Sequence, residues 1–254
     1  MLFLMNSAER KPQMAEKKKL LVFTPTPNEY EGICRHIADA AYRSFEVKVT
    51  ECGPGKINAA FHVSSEAAAL AAGGEKPAFI ISAGTSGSLS LGLAGGDVIA
   101  SNSAVISDWK LEDDEGRRHG PYAEIAYNDL DATLAARMTM TCAHPAVSAL
   151  MGRLADGGLK NGSMLTSDTF VAGAVTKLAL GRDFNCLACD MESGAIAYVA
   201  GEKLGIPWFN LRVVADTLDE SLHDYFNKEV DMVNILGAQT ALALNILDEI
   251  ILSA

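Results

Sequence analysis

The chain has 254 residues, 49% of them hydrophobic and 21% charged, and its 32 acidic and 21 basic side chains give a formal net charge of −11. Such an apolar fraction excludes a disordered chain, and the length suits one α/β unit with a large core. The acidic balance excludes nucleic acid as the main partner, because neutralising phosphates takes clustered Lys and Arg, and the one basic run is Lys17–Lys19.

No stretch is expected to reach the roughly 20 apolar residues that a spanning helix needs, so a membrane is not expected as a partner. Met1–Met5 is too short for a secretory apolar segment. Residues 1–18 read as a disordered leader, with Met14 an alternative first residue, and residues 19–254 read as a single domain. Five cysteines form an odd set without a pairing pattern, which fits reduced thiols in a cytoplasm better than a disulfide framework. Cys186 and Cys189 are spaced C-x-x-C, but no second pair or suitably spaced His accompanies them. They read as small buried hydrophobes, with no metal site expected.

In chain order, Leu20–Phe23 is a first apolar strand, ended by Thr24-Pro25-Thr26-Pro27-Asn28, with Asn28 expected to cap a helix starting near Glu29. Phe45–Thr50 alternates with period two, as a half-buried strand does. Gly53-Pro54-Gly55 breaks the chain before an Ala-rich helix over Lys56–Ala72. Ala78–Ser82 is a continuously apolar strand expected to end in a Gly-rich turn, Gly84–Gly87. Asp97–Val105 follows as one strand, and Lys110–Pro121 as a polar surface loop or lid. Ser163–Thr166 and Leu187–Asp190 read as short strands, Ser193–Leu204 as a helix and Pro207–Val214 as a strand stopping at Ala215-Asp216-Thr217. A long helix with a wide apolar face closes the chain from about Asp224 to Leu252. Strands apolar on both faces and separated by helices predict a mainly parallel sheet covered on both sides.

Ligands in such folds sit beyond the carboxyl ends of the strands. The residues just after the apolar runs are Asn28-Glu29, Gly84-Thr85, Ser167-Asp168-Thr169-Phe170, Asp190-Met191-Glu192 and Ala215-Asp216. Four of these places carry carboxylates, and Glu29, Glu192 and Asp216 are the ones that could serve as acid, base or hydroxyl acceptor. Each has a plainer reading as well: Glu29 and Glu192 as first-turn helix acids, Asp216 as a turn former, Phe170 and Met191 as core. Arg212 lies inside an apolar strand, where an unpaired charge would be costly, so it requires a buried partner, expected to be Glu29.

Ser82-Ala83-Gly84-Thr85-Ser86-Gly87-Ser88, Gly96-Asp97-Val98, Asp190-Met191-Glu192 and Arg212-Val213-Val214-Ala215-Asp216 recur in an order and spacing that resembles the purine nucleoside phosphorylase and nucleosidase superfamily. Within it the chain is most similar to methylthioadenosine/S-adenosylhomocysteine nucleosidases, over about Leu20 to Leu252. The resemblance implies a three-layer α/β fold, a central mixed, mostly parallel sheet partly curled into a barrel and flanked by helices. It also implies hydrolysis of a purine nucleoside N-glycosidic bond without a cofactor, and a homodimer. Met191 and Glu192, beside Asp190, would hold the ribose. Phe170 would stack on the purine and the Val171 backbone would read its edge. Asp216 would protonate N7, while Glu29, with Arg212, Thr85 and the adjoining Gly84, would position and deprotonate water. The pocket's 5′ side would be lined by Lys110–Tyr122 and a segment of a neighbouring subunit.

The chemistry asks for the same groups. Cleaving C1′–N9 builds positive charge on the sugar and negative charge on the purine, so an acid at N7 and a carboxylate near the sugar both favour the transition state. Ser82 stands where related phosphorylases usually place an arginine, which favours water over phosphate as nucleophile. Ala215 departs from the Ser usual in the nucleosidases and removes one hydrogen bond to Asp216. The first loop resembles that of futalosine hydrolases, although those tend to carry Asn where this chain has Asp216. A futalosine hydrolase, a phosphate-dependent phosphorylase and a non-catalytic nucleoside-binding protein are the alternatives.

Overall fold

The computed structural model describes residues 17–108, 111–112, 118–119, 139–218 and 222–254, with the backbone path alone for 111–112, 118–119 and 222–230. The expected leader lies outside these residues except for Lys17 and Lys18, and most of the Lys110–Pro121 excursion lies outside them too.

Apolar runs place their strands in the middle of a ten-stranded sheet. The first four long elements are β1 (Lys18–Thr24), α1 (Pro27–Ile37), β2 (Phe45–Glu51) and α2 (Lys56–Ala72), followed by β3 (Pro77–Ser88). β1 pairs in parallel with both β2 and β3. The predicted Asp97–Val105 strand is instead two, β4 (Val98–Ser101) and β5 (Ser103–Ile106), divided at Asn102. The Ser101 hydroxyl donates to the Ser103 carbonyl at 2.7 Å and stabilises the bend. β4 and β5 then lie in different parts of the sheet, β4 beside the strand Trp208–Asp216 and β5 beside the strand Ser163–Thr166. One short bend thus links distant parts of the sheet and curls it.

Leu111–Glu112 (β6) and Arg118–His119 (β7) form a separate two-stranded ribbon. The second half adds β8 (Thr139–Thr141), α3 (Pro145–Asp156), β9 (Lys160–Asn161), β10 (Ser163–Thr166), α4 (Ala174–Phe184), β11 (Cys186–Asp190), α5 (Ser193–Ala197), a wider π turn over Tyr198–Lys203, β12 (Trp208–Asp216) and α6 (Leu222–Ser253). The helix expected over Ser193–Leu204 is therefore α only in its first part. Most pairings are parallel, but β3–β11, β4–β12 and β5–β8 are antiparallel. The outcome is the expected mixed sheet flanked by helices.

Gly84–Gly87 is not a turn: β3 runs on through it, because β12 pairs with it in parallel from Trp208–Ile80 to Asp216–Gly87. The helix cap is Thr26 rather than Asn28. Thr26 is extended at φ −121, its side chain accepts from the Glu29 backbone N–H and the Glu29 side chain accepts from the Thr26 N–H, a reciprocal capping box with Pro27 in the first turn.

By length and composition Asp231–Ser253 reaches what a membrane span requires, 23 residues with mean hydropathy 1.5, contrary to the sequence expectation. Its apolar side is taken up by the fold, with Leu236, Leu244 and Leu247 fully buried and the helix packed on α1, α3 and β12. Where α6 crosses α1, two glycines let the backbones meet. A Cβ on Gly237 would collide with the Gly32 carbonyl and the His36 ring, and one on Gly32 would collide with Val233. Gly32 lies one turn beyond Glu29, so this crossing also sets the height of the α1 amino end. Gly237→Ala is expected to cost about 1–3 kcal/mol by overpacking, read as a lower midpoint in urea unfolding.

Candidate active site

Six elements meet around one cavity of about 160 Å³. β1 and α1 bring Thr26 and Glu29, β3 brings Thr85, Ser86 and Gly87, and the segment after β10 brings Thr169, Phe170 and Val171. The end of β11 supplies Asp190, Met191 and Glu192, and β12 supplies Asp216. The three acids picked out from the sequence, Glu29, Glu192 and Asp216, therefore line one hollow. Arg212 and Gly84 do not line it and lie behind its wall.

Glu29 is 1% exposed and held from two sides. Oε1 accepts from the Thr85 N–H at 2.7 Å and the Thr85 hydroxyl at 3.0 Å. Oε2 accepts from the Thr26 N–H at 3.0 Å and the Thr26 hydroxyl at 2.9 Å. The carboxylate that caps α1 thus also faces the cavity. Close approach is possible because residue 84 is Gly, where a Cβ would collide with Arg212 Nη1 and sit 3.2 Å from Glu29 Oε1.

Arg212 is fully buried, and its ion-pair partners are not the expected Glu29 but Asp190, Nε to Oδ2 at 2.9 Å, and Glu192, Nη1 to Oε2 at 3.3 Å. Nη2 donates to the Ser82 hydroxyl at 2.6 Å and Nε to the Ser193 hydroxyl at 3.1 Å. Glu29 is instead occupied by the Thr26 and Thr85 donors. Ser82, where an arginine would suit a phosphorylase, thus serves the arginine of β12.

Asp190 is largely engaged by its own surroundings. Oδ1 accepts from the Thr166 hydroxyl at 2.7 Å and the Ser193 N–H at 3.1 Å, while Oδ2 takes the Ser193 hydroxyl and Arg212. It fixes the turn that presents Glu192. Glu192 Oε1 accepts from the Gly55 N–H at 2.9 Å, and Gly55 reaches this place at φ +94, a conformation natural to glycine. Each Glu192 oxygen therefore carries one protein donor and retains a lone pair toward the cavity. Burial pushes its carboxyl up to about 7, against the opposing pull of Arg212 and with a further push from Asp190.

Asp216 is 4% exposed at the end of β12. A register irregularity between Val214 and Asp216 sets it opposite Gly87, whose missing side chain leaves room for Oδ2. Its partner was not foreseen: Lys177 of α4, fully buried, places Nζ 2.7 Å from Asp216 Oδ2 and 2.9 Å from the Thr217 carbonyl. The available signal was a lone Lys between Val175 and Leu178–Leu180 in an otherwise apolar stretch. Phe170, 46% exposed, stands at the cavity's rim beside Val171. Pro54 also lines the cavity, as does Cys189, which the sequence suggests only as a small buried hydrophobe. Burial pushes the thiols of Cys52, Cys186 and Cys189 up to about 12, so the C-x-x-C pair is poorly suited to thiolate chemistry. Among the described residues no group of three or more His, Cys, Asp or Glu is arranged to hold a metal ion. Lys110–Tyr122, expected on the 5′ side, lies outside the described side chains.

With this geometry in hand, comparison with known proteins is specific. The family model of the phosphorylase superfamily matches residues 19–251. The chain belongs to that superfamily. Similar curated proteins include the 5′-methylthioadenosine/S-adenosylhomocysteine nucleosidases of Staphylococcus aureus, 25% identical over 206 residues, 78% of this chain and 81% of that protein. The nucleosidase of the same description from Actinobacillus succinogenes is 26% identical over 174 residues, 68% and 69% of the two chains. Among solved structures, a Helicobacter pylori nucleosidase variant with 5′-methylthioadenosine in its active site matches with a TM-score of 0.71 at 18% identity, over 94% of this chain and 100% of that one. Helicobacter pylori futalosine hydrolase matches with a TM-score of 0.68 at 20% identity, over 91% and 97%.

The Arg212 network makes a stability prediction. Arg212→Leu leaves Asp190 and Glu192 buried without their cation and is expected to cost about 3–5 kcal/mol, measured by urea unfolding. A variant within about 0.5 kcal/mol of the parent would show the network to be energetically slack.

Proposed function

We propose that this superfamily member is a nucleosidase, an N-glycosyl hydrolase of purine nucleosides, and that its substrate is methylthioadenosine or S-adenosylhomocysteine. The observation that carries the reading is the meeting of Glu29, Glu192 and Asp216 around one cavity. The named activity of the curated relatives supports it.

In this mechanism the two ribose hydroxyls donate to the cavity-side lone pairs of Glu192, beside Met191, and Phe170 stacks on the purine with the Val171 backbone at its edge. Asp216 gives a proton to N7 as C1′–N9 breaks. Water adds to C1′ and loses its proton toward Glu29. Because donors already occupy both Glu29 oxygens, a threonine hydroxyl, Thr85 or Thr26, must turn aside or relay that proton. Arg212 acts from behind the wall by holding Asp190 and Glu192. Glu192 also places negative charge beside the sugar as it becomes cationic.

Water is favoured over phosphate on electrostatic grounds. Among the described residues the cavity is lined by Glu29, Asp190, Glu192 and Asp216 and by no Lys or Arg. A phosphate anion there would meet carboxylates, whereas Arg212 is fully buried and spends its donors inside the wall. A futalosine hydrolase has the support of structural neighbours and of the first loop, and turnover of a panel of nucleosides separates it. We also propose a cytoplasmic homodimer. Exposed Ile57 and Phe61 on one face of α2, and Val175 and Leu178 on α4, offer apolar surface for such a contact.

The direct test is release of free base from methylthioadenosine, S-adenosylhomocysteine, adenosine, inosine and futalosine, with and without phosphate. The proposal predicts phosphate-independent release, fastest from the first two. Release only with phosphate would make the chain a phosphorylase, and tight binding without turnover would make it a binding protein. Asp216→Asn and Glu29→Gln should each lose about 10²-fold or more in kcat.

Glu192 adds a pH prediction. Its carboxyl, raised to about 7, is neutral below that pH and then accepts ribose hydroxyls poorly. The value of kcat/KM should therefore rise as pH increases through about 7, and Glu192→Gln should lower it and flatten that limb. An unchanged limb in the variant would assign the titration to another group.

A further inference from the structure

The Ala215 side chain offers Asp216 no hydrogen bond, whereas Lys177 holds it by a buried ion pair. Lys177 is the one buried residue of α4, an 11-residue helix whose neighbours Val175 and Leu178 are exposed. Its ammonium reaches Asp216 Oδ2 and the Thr217 carbonyl, the last residue of β12 and the one after it. Burying a lysine this completely is costly, and an apolar pair of similar volume often serves stability as well or better. Stability alone therefore gives little reason for the pair. Lys177 does not line the cavity, so whatever it does to a ligand it does through Asp216.

We propose that Lys177 is the positioning residue of the acid: it fixes Asp216 Oδ2 and holds the proton that Asp216 passes to the leaving base. This rests on the hydrolase reading above. The pair carries no net charge and one transferable proton. When C1′–N9 breaks, its electron pair goes to the purine, Asp216 delivers a proton to N7, and Lys177 replaces it, leaving a carboxylate and a neutral amine. The water oxygen bonds to C1′ and its proton rests on Glu29. After the products leave, one proton returns from Glu29 through solvent to Lys177, and the site is reset. Glu29, Asp190, Glu192 and Asp216 share this region with two buried cations, and Arg212 is committed to Asp190 and Glu192. Lys177 is the cation left for the acid.

The test measures adenine release from methylthioadenosine by the full chain and by Lys177→Met, Lys177→Gln, Asp216→Asn and the double variant Lys177→Met/Asp216→Asn. The proposal expects Lys177→Met to lose about 10²-fold in kcat with KM within about 3-fold. Lys177→Gln, which can still donate a hydrogen bond but holds no acidic proton, should lose nearly as much. In the Asp216→Asn background Lys177→Met should change kcat by less than about 3-fold, since residues acting as one unit are not additive. Should Lys177→Met fail to fold, Lys177→Gln and the double variant decide by the same criteria. Full rate in either single variant overturns the proposal, as does an equal further loss in the Asp216→Asn background. Failure of the parent chain to release base from any purine nucleoside would instead overturn the hydrolase reading itself.

Discussion

A guanidinium sunk in the middle of a sheet is tolerable only if its charge is balanced and its N–H groups find acceptors. Arg212 meets both conditions by joining its own strand to two other pieces of chain: Ser82 from β3, and Asp190, Glu192 and Ser193 from the end of β11 and the turn into α5. Because β12 pairs with β3 along nearly its whole length, the same contacts tie the turn after β11 to the strand that carries Thr85 and faces Glu29. Gly84 is the permissive element, as any side chain there would occupy the space of the guanidinium. Without this arrangement the walls of the cavity would have no common reference.

Around that fixed point, the acids occupy three distinct electrostatic settings. Glu29 is surrounded by neutral donors from three threonines, Thr24, Thr26 and Thr85, Glu192 stands beside a cation but deep enough that burial dominates, and Asp216 faces a buried ammonium. Three carboxyl groups in one hollow can take different roles only if their surroundings differ in this way. Gly55 donates its N–H to Glu192, and Gly84 and Gly87 leave the space that Glu29 and Asp216 approach.

Much of this was legible in the sequence where local patterns decide structure. The Lys56–Ala72 helix and the Ser163–Thr166 strand have the observed bounds because Gly-rich or polar punctuation marks their ends. The three acids were findable because each follows an apolar run. Features set by tertiary pairing were misread. Gly84–Gly87 looks like a turn but is held as strand by β12, and Asp97–Val105 looks like one strand but bends at Asn102 to serve two parts of the sheet. Asn28 lost the cap to Thr26 because Glu29 must sit three residues after the cap to close the reciprocal box. The partner of Arg212 could not be ranked without knowing that Thr26 and Thr85 already saturate Glu29. Lys177 belongs to a segment with a weak helical pattern, and nothing local ties it to a residue 39 positions away.

The central claim is that these acids direct water onto the anomeric carbon of a purine nucleoside. It is tested most directly by turnover of methylthioadenosine in ¹⁸O-labelled water containing phosphate, with the sugar product examined by mass spectrometry. The account predicts free adenine and a methylthioribose carrying the label at its anomeric oxygen. An unlabelled sugar 1-phosphate, or intact nucleoside after prolonged incubation, would contradict it.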